Sequence, residues 1–117
     1  MELNFFGREL ANLLPLDEVN IKEIEPQKLW SDFYQAVAAI LERETGQISE
    51  VFLSFSTPMG GWVNICCGPL LVVSKKLGYA RGDRFYSVAD LLEEGEKVLG
   101  QALELAGNYF DVPYVPN

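Results

Sequence analysis

The stretch Val51–Lys75, VFLSFSTPMGGWVNICCGPLLVVSK, decides the architecture. Val51, Leu53 and Phe55 alternate with Phe52, Ser54 and Ser56, which gives a strand with one wholly apolar face. Thr57-Pro58-Met59-Gly60 reads as a turn, Trp62–Cys67 as a second strand, Gly68-Pro69 as a tight reversal and Leu70–Lys75 as a third strand. Connections this short join only antiparallel neighbours, so the three strands are expected to form a meander. The run from Val51 to Ser74 carries no charge, but its proline and glycine breaks are wrong for a membrane helix.

Amphipathic helices flank the strands on both sides. Upstream, Leu29, Trp30, Phe33, Val37, Ile40 and Leu41 repeat at three- and four-residue steps. Pro26 suits the first turn of that helix and Gly46 its left-handed cap, so the pattern predicts a helix from Pro26 to Thr45. Further upstream, Leu3, Phe6, Leu10, Leu13 and Leu14 make a stripe that Pro15 ends, with Asn4 as its N-cap. Leu16–Glu25 fits neither period and reads as a connector with room for a short helical turn. Downstream, Ser87-Val88-Ala89-Asp90 is a capping box opening a helix that Gly107 is expected to close. Gly95 lies on the apolar stripe of this helix, where glycine costs about 1 kcal/mol, and implies close approach of the helix to the sheet. The expected class is therefore α+β: a three-stranded antiparallel meander covered on one face by two or three helices, in the order α-(α)-β-β-β-α. A single domain over 1–117 is expected, with 1–25 as N-terminal helix and connector, 26–110 as core and 111–117 as an irregular tail.

Of the 117 residues 49% are hydrophobic and 22% charged, an ordinary balance for a folded protein, and the net charge is −8. That sign opposes phosphate neutralisation and attraction to an anionic membrane surface, so neither nucleic acid nor membrane is an expected partner. Met1-Glu2-Leu3-Asn4 shows no basic region ahead of an apolar run, which points to a cytoplasmic protein.

The chain has no histidine, and its two cysteines, Cys66 and Cys67, are adjacent. The commonest general base and transition-metal ligand are thus missing, and the cysteines lack the spacing of a chelating or redox pair. Strand alternation sends one thiol inward and the other outward. The carboxylates fall on faces expected to be wet, not in an apolar pocket beside an ionised partner. Neither a catalytic site, a metal site nor a bound cofactor is expected. Two segments remain as candidates for partner binding. Lys75, Lys76, Arg81 and Arg84 are four of the nine basic residues, gathered in ten positions with Tyr79 among them. They make either a solvated loop after an edge strand or a cationic patch for an acidic partner. Met59 and Trp62 flank a glycine pair, where Trp62 is either an exposed anchor or the first core residue of its strand.

FYQAVAAILERETG (Phe33–Gly46), GPLLVVSKKL (Gly68–Leu77) and RFYSVADLLEEGEKVLGQALELA (Arg84–Ala106), in that order and spacing, resemble the NifX-associated nitrogen fixation family. These are small proteins of nitrogen-fixing organisms, grouped as a domain of unknown function. The turn STPMGGW stands where that family tends to an acidic-glycine pattern, and Gly78–Asp83 lacks the histidine associated with the position. The resemblance implies a nitrogenase accessory protein that docks on the molybdenum-iron protein or on its cofactor-assembly partners. It brings no catalytic residues with it, which agrees with a non-enzymatic role. The alternative is a carrier of an anionic metal cofactor or small molecule, held by the basic segment with Cys66 or Cys67 as a ligand.

Overall fold

The computed structural model describes residues 3–56, 60–78 and 87–111. Four helices and three strands follow in order: α1 (Phe5–Leu13), α2 (Asn20–Glu23), α3 (Pro26–Thr45), β1 (Ser49–Ser56), β2 (Gly60–Cys67), β3 (Leu70–Gly78) and α4 (Val88–Phe110). The strands form an antiparallel sheet in the order β1-β2-β3, as the short connections require.

Local chemistry sets the element ends. The Asn4 side chain accepts the Gly7 amide at 2.9 Å and caps α1. Pro26 opens α3, and Gly46 closes it at φ 71°, its amide donating to the Glu42 carbonyl. Ser87 caps α4 by accepting the Asp90 amide at 3.1 Å. The connector contains a single helical turn, α2. Its neighbour Glu18 reaches across to accept the Val88 amide at 3.2 Å.

Three expectations change. Helix α4 runs past Gly107 to Phe110, and Asp111 at φ 57° takes the left-handed cap position, its amide donating to the Gly107 carbonyl. The extra turn holds Tyr109 and Phe110 in an edge-to-face pair 4.9 Å apart, with Phe110 packed against the core, so burial overrides the glycine stop signal. Gly95 meets other helices, not the sheet: a Cβ there would lie 2.2 Å from Leu10 Cδ1 and 3.2 Å from the Phe33 ring. All three strands are also longer than the apolar alternation marks, because hydrogen-bonded pairing continues through Gly60-Gly61 and Lys76-Leu77-Gly78. Gly60, at φ 146°, has no room for a side chain beside the Leu77 carbonyl oxygen, which a Cβ would meet at 2.1 Å.

Helices α3 and α4 cover one face of the sheet, and α1 packs on those two helices. Val63, Ile65 and Cys67 of β2 are fully buried there, against Phe33, Leu41, Leu99 and Leu103 within one continuous core. A bulge places Val72 as an extra residue of β3, since Ile65 pairs with Val73 and Cys66 with Leu71. Both Val72 and Val73 are buried as a result. The aromatic trio Trp30, Phe33 and Tyr34 of α3 packs at centroid distances of 4.9 to 5.9 Å. Trp30 Nε1 donates to the Gly78 carbonyl at 3.1 Å and so fixes the far end of β3. Helices α1 and α3 are also joined at the surface, where Arg43 forks onto Glu9 (Nη2 to Oε1, 2.6 Å). This bond holds the Glu9 carboxyl below its ordinary value and raises Arg43.

Candidate functional site

Among the described residues the helices lie on one side of the sheet, and the side chains of its other face are exposed or partly exposed. Alternation assigns its residues: Glu50, Phe52, Ser54 and Ser56 from β1, facing the same way as Cys66, Asn64, Trp62 and Gly60 of β2. From β3 come Leu71, Ser74, Lys76 and Gly78. Phe52 is 52% exposed, Trp62 51% and Leu71 50%, so three large apolar side chains from three strands meet water on one flat surface. Phe52 and Trp62 are diagonal neighbours on adjacent strands, and exposed aromatics so placed are candidates for an interaction surface.

Ser56, Gly60 and Gly78 are in register across the three strands, so β1 ends, β2 begins and β3 ends side by side. One step inward, Trp62 pairs with Ser54 on one side and Lys76 on the other. Trp62 is thus an exposed residue and not the first core residue of β2, a place that Val63 takes. Met59, Tyr79, Arg81 and Arg84 lie outside the described residues.

The two lysines part company. Both belong to β3 itself and not to a loop after an edge strand. Lys76 is exposed on the open face, whereas Lys75 points to the helical side and forms an ion pair with Glu94 of α4. Its charge is already partnered within the fold, so of the pair Lys76 is the one presented outward.

Sequence reasoning singled out Trp62 but passed over Phe52, Asn64 and Leu71. The signal was there for Phe52, a large aromatic on the otherwise polar face of β1. For Leu71 there was none, because the bulge at Val72 shifts the alternation. Asn64 sits at the middle of the central strand, only partly exposed, and its Oδ1 is buried with no hydrogen-bond partner. A buried amide oxygen without a partner carries a desolvation cost.

Among the described residues, groups suited to metal binding do not converge elsewhere. Among the described residues no polar or charged residue is buried, and no three cysteine, aspartate or glutamate side chains come together around a common point. Cys67 is buried, 3.5 Å from the Ser49 hydroxyl, and Cys66 is partly exposed on the open face. No described helix is long and apolar enough to cross a membrane.

The profile of a family described as "Protein of unknown function, DUF269" matches residues 16–114. The chain belongs to the DUF269 family. A crystal structure of a DUF269 protein from the cyanobacterium Cyanothece 51142, described as associated with nitrogen fixation, aligns at a TM-score of 0.60 and 24% identity. The alignment covers 88% of this chain and 72% of that one. At that identity the likeness shows that the two DUF269 chains share a fold. A comparison with curated proteins gives no match.

Proposed function

We propose that this chain is a non-catalytic accessory protein of nitrogen fixation, of the NifX-associated kind, that acts by docking on another protein. Its client is the nitrogenase molybdenum-iron protein or one of the proteins that assemble its cofactor. The observation that carries the docking reading is the exposed Trp62 beside Lys76 on a sheet face that no helix covers. Tryptophan is among the side chains most enriched at the centres of protein interfaces, and Lys76 beside it supplies a cation for an acidic partner. Membership of the DUF269 family, and a relative described as associated with nitrogen fixation, support the setting. The carrier reading has less behind it, one partly exposed thiol at Cys66.

Retention of the purified protein on immobilised molybdenum-iron protein, in its intact and cofactor-deficient forms, tests the proposal. Binding to at least one form is expected, and Trp62→Ala with Lys76→Glu is expected to weaken it about tenfold or more. Absence of retention on both forms overturns the proposal.

A further inference from the structure

We propose that the free edge of β1 takes up one further strand: an extended segment of a partner protein, apolar at alternate positions, with lysine or arginine at the end beside Ser49. The inference concerns the rim of the sheet and not its open face. It goes beyond the docking reading and does not depend on it.

The two edges of the sheet are built differently. Strand β3 carries a bulge at Val72 and the lysines Lys75 and Lys76, devices that keep an edge from pairing with another chain. Strand β1 has none of them. It runs from Ser49 to Ser56 in unbroken register with β2, without lysine, proline or bulge, and Val51-Phe52-Leu53-Ser54-Phe55 is rich in strand-forming residues. A long, regular, unblunted edge is a template for an added strand.

Backbone parity identifies the groups on offer. The Gly68 amide donates to the Ile48 carbonyl at 2.8 Å, in line with the pairing of Ser49 with Cys67. Hydrogen-bonded pairs alternate along an antiparallel ladder, so Glu50, Phe52 and Ser54 turn their amides and carbonyls toward β2. Ser49, Val51 and Leu53 turn theirs outward. As that parity requires, the Ser49 amide leaves the sheet and donates to Glu42 Oε1 at 3.0 Å. Val51 and Leu53 follow with two amides and two carbonyls, and among the described residues no group bonds them from outside.

Space is kept beside this edge. Val51 and Leu53 are only partly buried, whereas their partners Ile65 and Val63 on β2 are fully buried. A groove of about 620 Å³ lies between α3 and the start of β1, lined by Gln35, Ala38, Ala39, Glu42, Ile48 and Ser49 among others. Alanine at 38 and 39 leaves room on α3 for the side chains of an added strand. Ile48, 73% exposed, is apolar surface that such a strand would cover.

Charge selects the occupant. Glu42, Glu44 and Glu50 flank the start of β1, and Arg43 among them is already bound to Glu9 and Glu44. A second copy of the chain brings a charge of −8 to that acidic end, so a basic segment of a different protein is the better match.

Titration of the full chain with a ten-residue synthetic peptide of alternating valine and threonine, ending in two lysines, tests this, with amide hydrogen exchange read by NMR. The Val51 and Leu53 amides are expected to gain at least about tenfold protection, with a Kd of tens of micromolar. The same peptide N-methylated throughout cannot donate and is expected to give no protection. Exchanging its lysines for glutamates is expected to weaken binding about tenfold. Ala39→Arg fills the groove and repels the basic end, so it too is expected to weaken binding about tenfold. Ala39 is exposed, and thermal melts check that the variant folds. No protection at about 1 mM peptide, equal binding of the N-methylated or glutamate peptide, or indifference to Ala39→Arg overturns the proposal. Protection of Val51 and Leu53 in the chain alone, growing with its concentration, assigns the edge to a second copy and overturns it as well. Retention on molybdenum-iron protein through Trp62 and Lys76 stands or falls separately.

Discussion

The two faces of the sheet are built from the same strands, yet they obey different rules. On β2, Val63 and Ile65 are fully buried under the helices, while Trp62, next to Val63, is half exposed on the other side. The covered face is filled by branched aliphatics from the sheet and by Phe33, Leu99 and Leu103 from the helices, chosen for how they pack. The open face, among the described residues, mixes aromatics, serines, an amide and one charge of each sign, a composition nearer to a protein surface than to a core. Burial identity belongs to the side, not to the strand.

That contrast can be broken or sharpened by substitution. The largest effect is expected on the covered face, where Ile65→Ala removes a fully buried side chain and is expected to cost about 2–4 kcal/mol in chemical denaturation. Phe52→Ala on the open face is expected to cost less than about 1 kcal/mol, since the ring is already half in water. Equal losses would mean that the open face is part of the folding core. Gly95→Ala comes next. Its Cβ would collide with the buried Leu10, so a net loss of about 1–2 kcal/mol is expected even though alanine favours the helix by about 1 kcal/mol.

Smaller effects separate the neighbouring lysines. Lys75→Ala breaks the ion pair to Glu94 and is expected to cost up to about 1 kcal/mol, whereas Lys76→Ala is expected to stay within about 0.5 kcal/mol. The effect of Glu9→Gln depends on pH. The Arg43 guanidinium holds the Glu9 carboxyl below its ordinary value in the fold, so its contribution is present above the ordinary value and is lost as pH falls through the lowered one. Arg43 is about half exposed, so the expected loss at neutral pH is under about 1 kcal/mol, vanishing once the wild-type carboxyl is protonated. An unchanged acid limb in urea titrations of the two proteins would remove the Glu9–Arg43 pair from the stability of α1.

The sequence was most legible where burial writes a period. The α3 stripe, the Asn4 and Ser87 caps and the meander all follow from local residue chemistry, and the inward Cys67 and outward Cys66 follow from alternation. What stayed hidden depends on pairing at a distance. Gly95 lies against Leu10 and Phe33 because three helices converge there, and no local pattern distinguishes that from contact with a sheet. Gly107 reads as a stop until Phe110 is seen to have core to pack on. Lys75 and Lys76 look alike in a basic run, and only the strand's alternation sends one to Glu94 and the other to the open face. The site was legible at Trp62 and illegible at Asn64, whose significance lies in an oxygen left without a partner.

Helix α1 carries a consequence for how the chain is made. Its Asn4 amide donates to the Glu96 carboxylate 92 residues later, and Leu10 seats against Gly95. Contacts of that separation form late, because the intervening chain must first be ordered. On a ribosome, α1 emerges with its apolar stripe uncovered and waits through the synthesis of the whole sheet until α4 arrives. Until α4 is made, α1 has only its contacts to α3, the Glu9–Arg43 pair among them, to rest on.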